Sequence, residues 1–142
     1  MGTLLQLGCS ASKDRWTKAR PAVYRASGIV TQAGDPLEGA MVVYLSPDGK
    51  HSAHGRTDDQ GKFVLTTFND HDGAVEGVHK VTITKTEYIE KRTSYDTPGE
   101  PSVARIPKQL LPAKLSNPET SGLTAEVMPN GPNFTELELA DE

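Results

Sequence analysis

From Tyr24 onward, apolar and polar side chains alternate along much of the chain. Tyr24, Ala26, Gly28 and Val30 share one parity, with Arg25, Ser27 and Thr31 on the other. Residues two apart on an extended strand point the same way, so this period predicts a strand with one face in a core. Gln32-Ala33-Gly34-Asp35-Pro36 supplies a turn, because glycine tolerates positive φ and proline presets φ. The next alternation, Gly39 to Leu45, directs Ala40, Val42 and Tyr44 inward and ends at Ser46-Pro47-Asp48-Gly49. A short polar strand is expected from Ser52 to Thr57. Asp58-Asp59-Gln60-Gly61 then turns the chain into Lys62 to Phe68, with Phe63 and Leu65 inward. After a loop, a strand from Val78 to about Thr86 places His79, Val81 and Ile83 on one face. Leu123, Ala125 and Val127 alternate near the end, and beyond Pro129-Asn130-Gly131-Pro132 a last strand aligns Thr135, Leu137 and Leu139.

Seven short strands separated by glycine and proline turns predict an all-β protein, a seven-stranded antiparallel β-sandwich. One stretch breaks the pattern. Residues 87–121 hold five of the ten prolines and are expected to form a long proline-rich insert before the last two strands. Structureless inserts of that length are usually functional or disordered. Ile106 to Leu111 is expected to make one helical turn opened by Pro107 and stopped by Pro112.

Composition narrows the function classes. At 142 residues, with 35% hydrophobic and 24% charged residues, the chain suits one domain with an ordinary core. A net charge of -4, without long blocks of like charge, argues against a nucleic-acid binder. No apolar run approaches the ~18 residues of a membrane helix. A single cysteine excludes a disulfide scaffold and a multi-cysteine zinc site.

That cysteine, Cys9, ends the stretch Leu4-Leu5-Gln6-Leu7-Gly8-Cys9. The stretch resembles the lipobox of bacterial lipoproteins, which implies lipidation at Cys9 and export. Gln6 and Leu7 depart from the usual lipobox residues, and the charged and apolar parts of a signal peptide are missing. A start codon assigned too far downstream would account for the latter. The alternative reading is a buried or inert thiol. On the lipoprotein reading, residues 1–8 are the remnant of a signal peptide, 9–20 a polar tether containing Trp16, and 21–140 the folded domain.

The strands carry a recognisable spacing: Ala26-x-Gly28-x-Val30, Gly34-x-Pro36-x-x-Gly39-Ala40-x-Val42-x-Tyr44, Thr57-Asp58-x-x-Gly61-x-Phe63-x-Leu65, and Gly77-x-His79-x-Val81-x-Ile83. These blocks, in this order, resemble the carboxypeptidase regulatory-like domain, an Ig-like, transthyretin-like (prealbumin-type) sandwich. The tail from Leu111 to Val127 is similar to that of small lipoproteins of planctomycete-type bacteria, except that Leu115 stands where an aromatic is frequent. The resemblance spans about Val23 to Leu139. It implies a non-catalytic module of the cell envelope, held to a membrane by its lipid and facing the periplasm or the surface.

Candidate chemistry is sparse. Asn69-Asp70-His71-Asp72-Gly73 alternates oxygen ligands before a glycine, as calcium loops do. Asp70 and Asp72 are therefore weak metal candidates, but the twelfth position of such a loop would fall on Val81, a core residue. His51 and His54, three apart in an extended segment, are expected on opposite faces, and His79 in the core. No nucleophile elbow occurs, and the motifs of the related hydroxyisourate hydrolases and intradiol dioxygenases are absent. No catalytic residue or cofactor is expected. Tyr88, Lys91, Arg92, Tyr95 and Arg105 bring aromatic and basic groups into the insert, where a loop on a rigid scaffold suits partner binding. An envelope protein or a polysaccharide is the expected partner. The alternatives are a carbohydrate-binding domain and a metal-binding exported protein.

Overall fold

The computed structural model describes residues 20–92 and 103–140. Cys9, the tether up to residue 19 and Tyr95 lie outside the described residues. Twelve strands occur among those described: β1 (Val23–Tyr24), β2 (Ala26–Gln32), β3 (Asp35–Pro36), β4 (Met41–Leu45), β5 (Ser52–Arg56), β6 (Lys62–Val64), β7 (Ala74–Val75), β8 (Gly77–Thr84), β9 (Thr86–Arg92), β10 (Val103–Gln109), β11 (Leu123–Val127) and β12 (Asn133–Leu139). Each of the seven segments expected as strands contains one, although the one expected from Lys62 to Phe68 ends at Val64. The other five are three two-residue strands and the pair β9–β10.

Two sheets make the body of the fold. One is antiparallel throughout, in the order β11-β8-β4-β5. In the other, β2 is flanked by β12 on one side and by β3 and β6 on the other. β12 runs parallel to β2, so the expected purely antiparallel arrangement does not hold. The reason lies in the connection. Instead of folding back on β11, the chain turns at 128–132 and crosses to the second sheet, where it enters β2's open side in the same direction. Asn133 fixes this turn: its side-chain carbonyl accepts from the Met128 N–H at 2.8 Å, and its amide donates to the Met128 and Arg25 carbonyls.

The alternation read from the sequence is what fills the space between the sheets. Val42, Tyr44, Val81, Ile83, Ala125 and Val127 meet Ala26, Val30, Phe63, Leu65, Leu137 and Leu139, all buried. Burying a side chain of this kind stabilises by about 1.5–3 kcal/mol, which makes the interface between the sheets the main source of stability. At the Asp58 turn, the carboxylate accepts from the backbone N–H groups of Gln60 and Lys62, both at 2.9 Å. Gly61 follows at φ +77°, and a β-carbon there would lie 2.5 Å from the Val30 carbonyl. Glycine is required twice over, by backbone and by space.

The stretch 87–121 is not the strandless insert expected from its prolines. β8 leads through Lys85 into β9, which pairs antiparallel with β10 from Thr86↔Gln109 to Arg92↔Val103. Ile106 and Pro107 are strand residues rather than a helical turn. The helical turn comes later, a 3-10 helix at Ala113–Ser116 that buries Leu115 in the main core. The Leu110 N–H donates to the Lys85 carbonyl at 2.8 Å. Bonded and non-bonded pairs alternate along an antiparallel ladder. Ile89↔Ile106 is therefore a bonded pair and Tyr88↔Pro107 a non-bonded one, so the missing N–H of Pro107 falls on the outer edge, where proline is tolerated.

Candidate functional site: a hairpin arm and an end groove

The β9–β10 hairpin stands apart from the two-sheet body. From Thr86 to Leu110, no described side chain is buried, and neither edge of the pair is bonded to another strand among the described residues. Directly opposed residues share a face, which sorts the candidates. Tyr88 and Pro107 oppose each other, as do Glu90 and Arg105, and these lie on one face. Ile89 opposes Ile106 on the other face, flanked by Glu87 opposite Lys108 and Lys91 opposite Ala104. The structure thus brings Tyr88 and Arg105 together and places Lys91 on the reverse side. Arg92 pairs through its backbone with Val103. Tyr88 is 64% exposed, and the Ile89 and Ile106 pair remains 45% and 43% exposed. Aromatic and basic residue types single out Tyr88, Lys91, Arg92 and Arg105 on these strands, and neither isoleucine is among them. Both isoleucines are branched apolar residues on a polar stretch, Ile89 between Glu87 and Lys91 and Ile106 between Ala104 and Lys108 on its own parity.

The Asp70–Asp72 loop has a different use for its oxygens. Asp72 accepts three backbone hydrogen bonds, from Thr67 at 2.7 Å, Phe68 at 3.0 Å and Asn69 at 2.8 Å. Partial burial pushes its carboxyl up, but these donors outweigh that and hold it below the ordinary carboxylate value. The carboxylate closes the loop as a cap. Asp70 is exposed and makes none of these bonds. Among the described residues, no group of three or more His, Cys, Asp or Glu side chains is placed to hold a metal ion. The would-be twelfth ligand position, Val81, is fully buried.

The histidines are dispersed. His54 is exposed on β5 and its backbone bridges to Thr66. His51 stacks edge-on against Phe68, with ring centroids 5.8 Å apart. His79 is buried and its Nε2 contacts the Val75 carbonyl at 2.6 Å, which leaves Nδ1 without a partner. Its ring lies 5.7 Å from that of Tyr44, which also packs edge-on against Phe63. Burial raises the Tyr44 hydroxyl above its ordinary value. Thr135 opposes this only in part, from a position short of a full hydrogen bond. Both rings serve as core packing.

Concave surfaces occur elsewhere among the described residues, and two of them carry aromatic or charged groups in the open. At one end of the body an open groove of about 690 Å³ is lined by Arg20, Tyr24, Asp48, Lys50, His51 and Glu76 among others. Its charges balance. The Arg20 guanidinium lies 5.0 Å above the Phe68 ring, and Asp48 is engaged by the Ser46 hydroxyl and the Lys50 N–H. These two bonds hold the Asp48 carboxyl below its usual range. The second surface is a shallow trough on the outside of the β12-β2-β6 sheet, where Phe134, Ser27 and Val64 form one cross-strand row. Phe134 is 53% exposed. It is an aromatic on the outward parity of β12, and that parity is the feature by which sequence reading could have found it.

No family model and no curated protein matches this chain. Among solved structures, it is similar to the 9R-lipoxygenase from Cyanothece PCC8801, at 14% identity and a TM-score of 0.36. That likeness covers 87% of this chain and 17% of the lipoxygenase chain, and it is too distant to bear on activity.

Proposed function

We propose that this chain is a non-catalytic module of the bacterial cell envelope, exported and lipidated at Cys9, which presents the β9–β10 arm to a protein partner. The observation that carries this reading is the arm itself. A two-stranded ribbon on its own is marginal in water, yet here it extends from the sheet with Tyr88, Ile89 and Ile106 uncovered. Solvated apolar residues on a projecting element suit a contact surface. The scaffold is proposed to be a carboxypeptidase regulatory-like, prealbumin-type sandwich. In support, its four glycine-spaced blocks fall on β2, on β4 with the turn before it, across the Asp58 turn into β6, and on β8.

The test has two parts. Metabolic labelling with a clickable palmitate analogue, on the gene with its upstream sequence, should label the wild type and not Cys9→Ser. Capture from envelope extracts should retain a partner on the wild-type protein and lose it with Tyr88→Ala and Arg105→Ala. Equal capture by the variants would remove the Tyr88–Arg105 face from the reading.

A second reading, carbohydrate binding, has one observation in its favour. The exposed Phe134 ring beside the small Ser27 offers a sugar face a stacking surface. A glycan array that shows hits with wild type and none with Phe134→Ala would favour it over the protein partner.

A further inference from the structure

We propose that the partner of the arm is a second copy of this chain, joined edge to edge through β9 about a two-fold axis at Ile89. The inference rests on the reading of the arm as a contact surface and names its occupant.

The two edges of the hairpin are not equivalent. Because Leu110 bonds to Lys85, the backbone groups of Glu87, Ile89 and Lys91 face β10, and those of Thr86, Tyr88, Glu90 and Arg92 face outward. On β10 the outward set includes Pro107, which has no N–H to offer, so that edge is interrupted. The β9 edge keeps a donor and an acceptor at every outward residue.

An incoming antiparallel strand must bond to the outward set, and for a second β9 this admits few registers. Pairing centred on Glu90 sets that carboxylate against its own copy. Pairing centred on Tyr88 sets Glu87 against Ile89. Pairing centred on Ile89 makes Tyr88 and Glu90 the bonded partners and places Glu87 opposite Lys91 on both sides of the axis. These opposite charges would occupy non-bonded pairs, where facing residues come closest, about 4.5 Å between α-carbons. The strand Glu87-Tyr88-Ile89-Glu90-Lys91 is thus complementary to itself under a two-fold rotation. An isologous interface requires this of any self-pairing edge.

The same register completes the apolar surface. Ile89 lies opposite Ile106 within each arm. The two-fold at Ile89 joins these pairs into one row, Ile106, Ile89 and their two copies, across a four-stranded antiparallel sheet. The contact is small, so association in dilute solution is weak. On the lipoprotein reading, anchoring both copies to one membrane would confine them to a thin layer and favour it.

The experiment is sedimentation of the full chain carrying Cys9→Ser over a wide concentration range. The expected result is a weak, reversible dimer. Glu87→Lys faces lysine with lysine twice per dimer and weakens it about tenfold. Lys91→Glu does the same with glutamates, and the double variant E87K/K91E restores wild-type association. Ile89→Cys should cross-link across the axis on mild oxidation, whereas Lys108→Cys should not. A chain that stays monomeric throughout, or single charge variants that dimerise as the wild type does, would overturn the self-pairing. In that case, capture of an envelope protein that still depends on Tyr88 and Arg105 would leave the arm's contact role standing. A dimer that persists in E87K but disappears with Phe134→Ala would likewise overturn it, by moving the interface to the outer sheet.

Discussion

Gly28 lies directly beneath the ring of Phe63, its pair across the β2–β6 ladder. A β-carbon on Gly28 would come within 2.5 Å of the ring's Cζ and 2.3 Å of the Thr135 carbonyl on β12. The ring could rotate away from such an atom, but the carbonyl belongs to the neighbouring strand and cannot. Gly28→Ala should therefore destabilise the fold by about 2–3 kcal/mol, as overpacking does. Equilibrium urea unfolding would show this as a lowered midpoint. A midpoint equal to that of the wild type would mean that β12 does not lie where the structure puts it.

The Asp72 cap separates two neighbouring acids that look alike in sequence. Asp72→Asn loses part of the acceptor set for Thr67, Phe68 and Asn69 and should cost about 2 kcal/mol. Asp70→Asn should fall within about 0.5 kcal/mol of wild type, as exposed substitutions do. The pH dependence has a definite sign. The folded carboxyl of Asp72 is held below its ordinary value, so its contribution is complete above the unfolded value near ~4 and is lost as pH falls through the folded value. The gap between wild type and Asp72→Asn should accordingly close on acidification. A gap that widened in acid would contradict the cap.

Between the arm and β11, the tail phrase is tied to the body by a buried hydrogen bond at Ser121 and by the packing of Leu111 and Leu115. Ser121 donates to the Val81 carbonyl at 2.6 Å and accepts from the Leu123 N–H at 3.3 Å, and Leu115 packs into the core. Leu115→Ala should cost about 2–4 kcal/mol and Ser121→Ala about 1 kcal/mol. The nearby Lys80–Glu119 ion pair, 2.7 Å long with both side chains more than half exposed, should contribute no more than about 0.5 kcal/mol. Thermal melts of the three variants should rank them in that order. If Glu119→Gln proved as damaging as Leu115→Ala, the tail would be held by charge rather than by packing.

The parts legible in sequence were those with one buried face. Ala26 to Val30, Ala40 to Tyr44 and Val81 to Ile83 alternate because every second side chain is excluded from water, and parity placed each of them correctly. The parallel placement of β12 was not legible. Asn133 to Leu139 shows the same alternation whichever neighbour it joins, and the Asn133 clamp to Met128 and Arg25 that holds the crossing leaves no mark in it. The arm is not legible for a related reason: β9 and β10 bury none of their described side chains, so Glu87, Lys91, Arg105 and Lys108 interrupt both parities and leave no apolar face to detect. Five prolines in one stretch then favoured a loop. Pro107 was compatible with a strand all along, because it stands where the ladder has no bond to lose. Of the residues expected to bind, Tyr88 and Arg105 proved to share a face, which residue type alone could not indicate.

Pro107 also offers a test of why the arm has one open edge. With threonine in its place, β10 would regain an outward N–H beside the exposed Ile106, and the hairpin would present two complete edges instead of one. A two-fold pairing through β9 closes on itself as a dimer. A second pairing through β10 would link such dimers end to end, and an assembly that does not close grows into filaments. Pro107→Thr should therefore keep the fold, since β10 gains a strand-forming residue at an exposed position, while adding concentration-dependent light scattering and species beyond the dimer. Glu87→Lys in the Pro107→Thr background should suppress that growth, because chain extension requires both edges. Filaments that persisted with the β9 edge repelled would show that the two edges do not act in series. Pro107 would then be a feature of the strand's backbone rather than a guard against open-ended assembly.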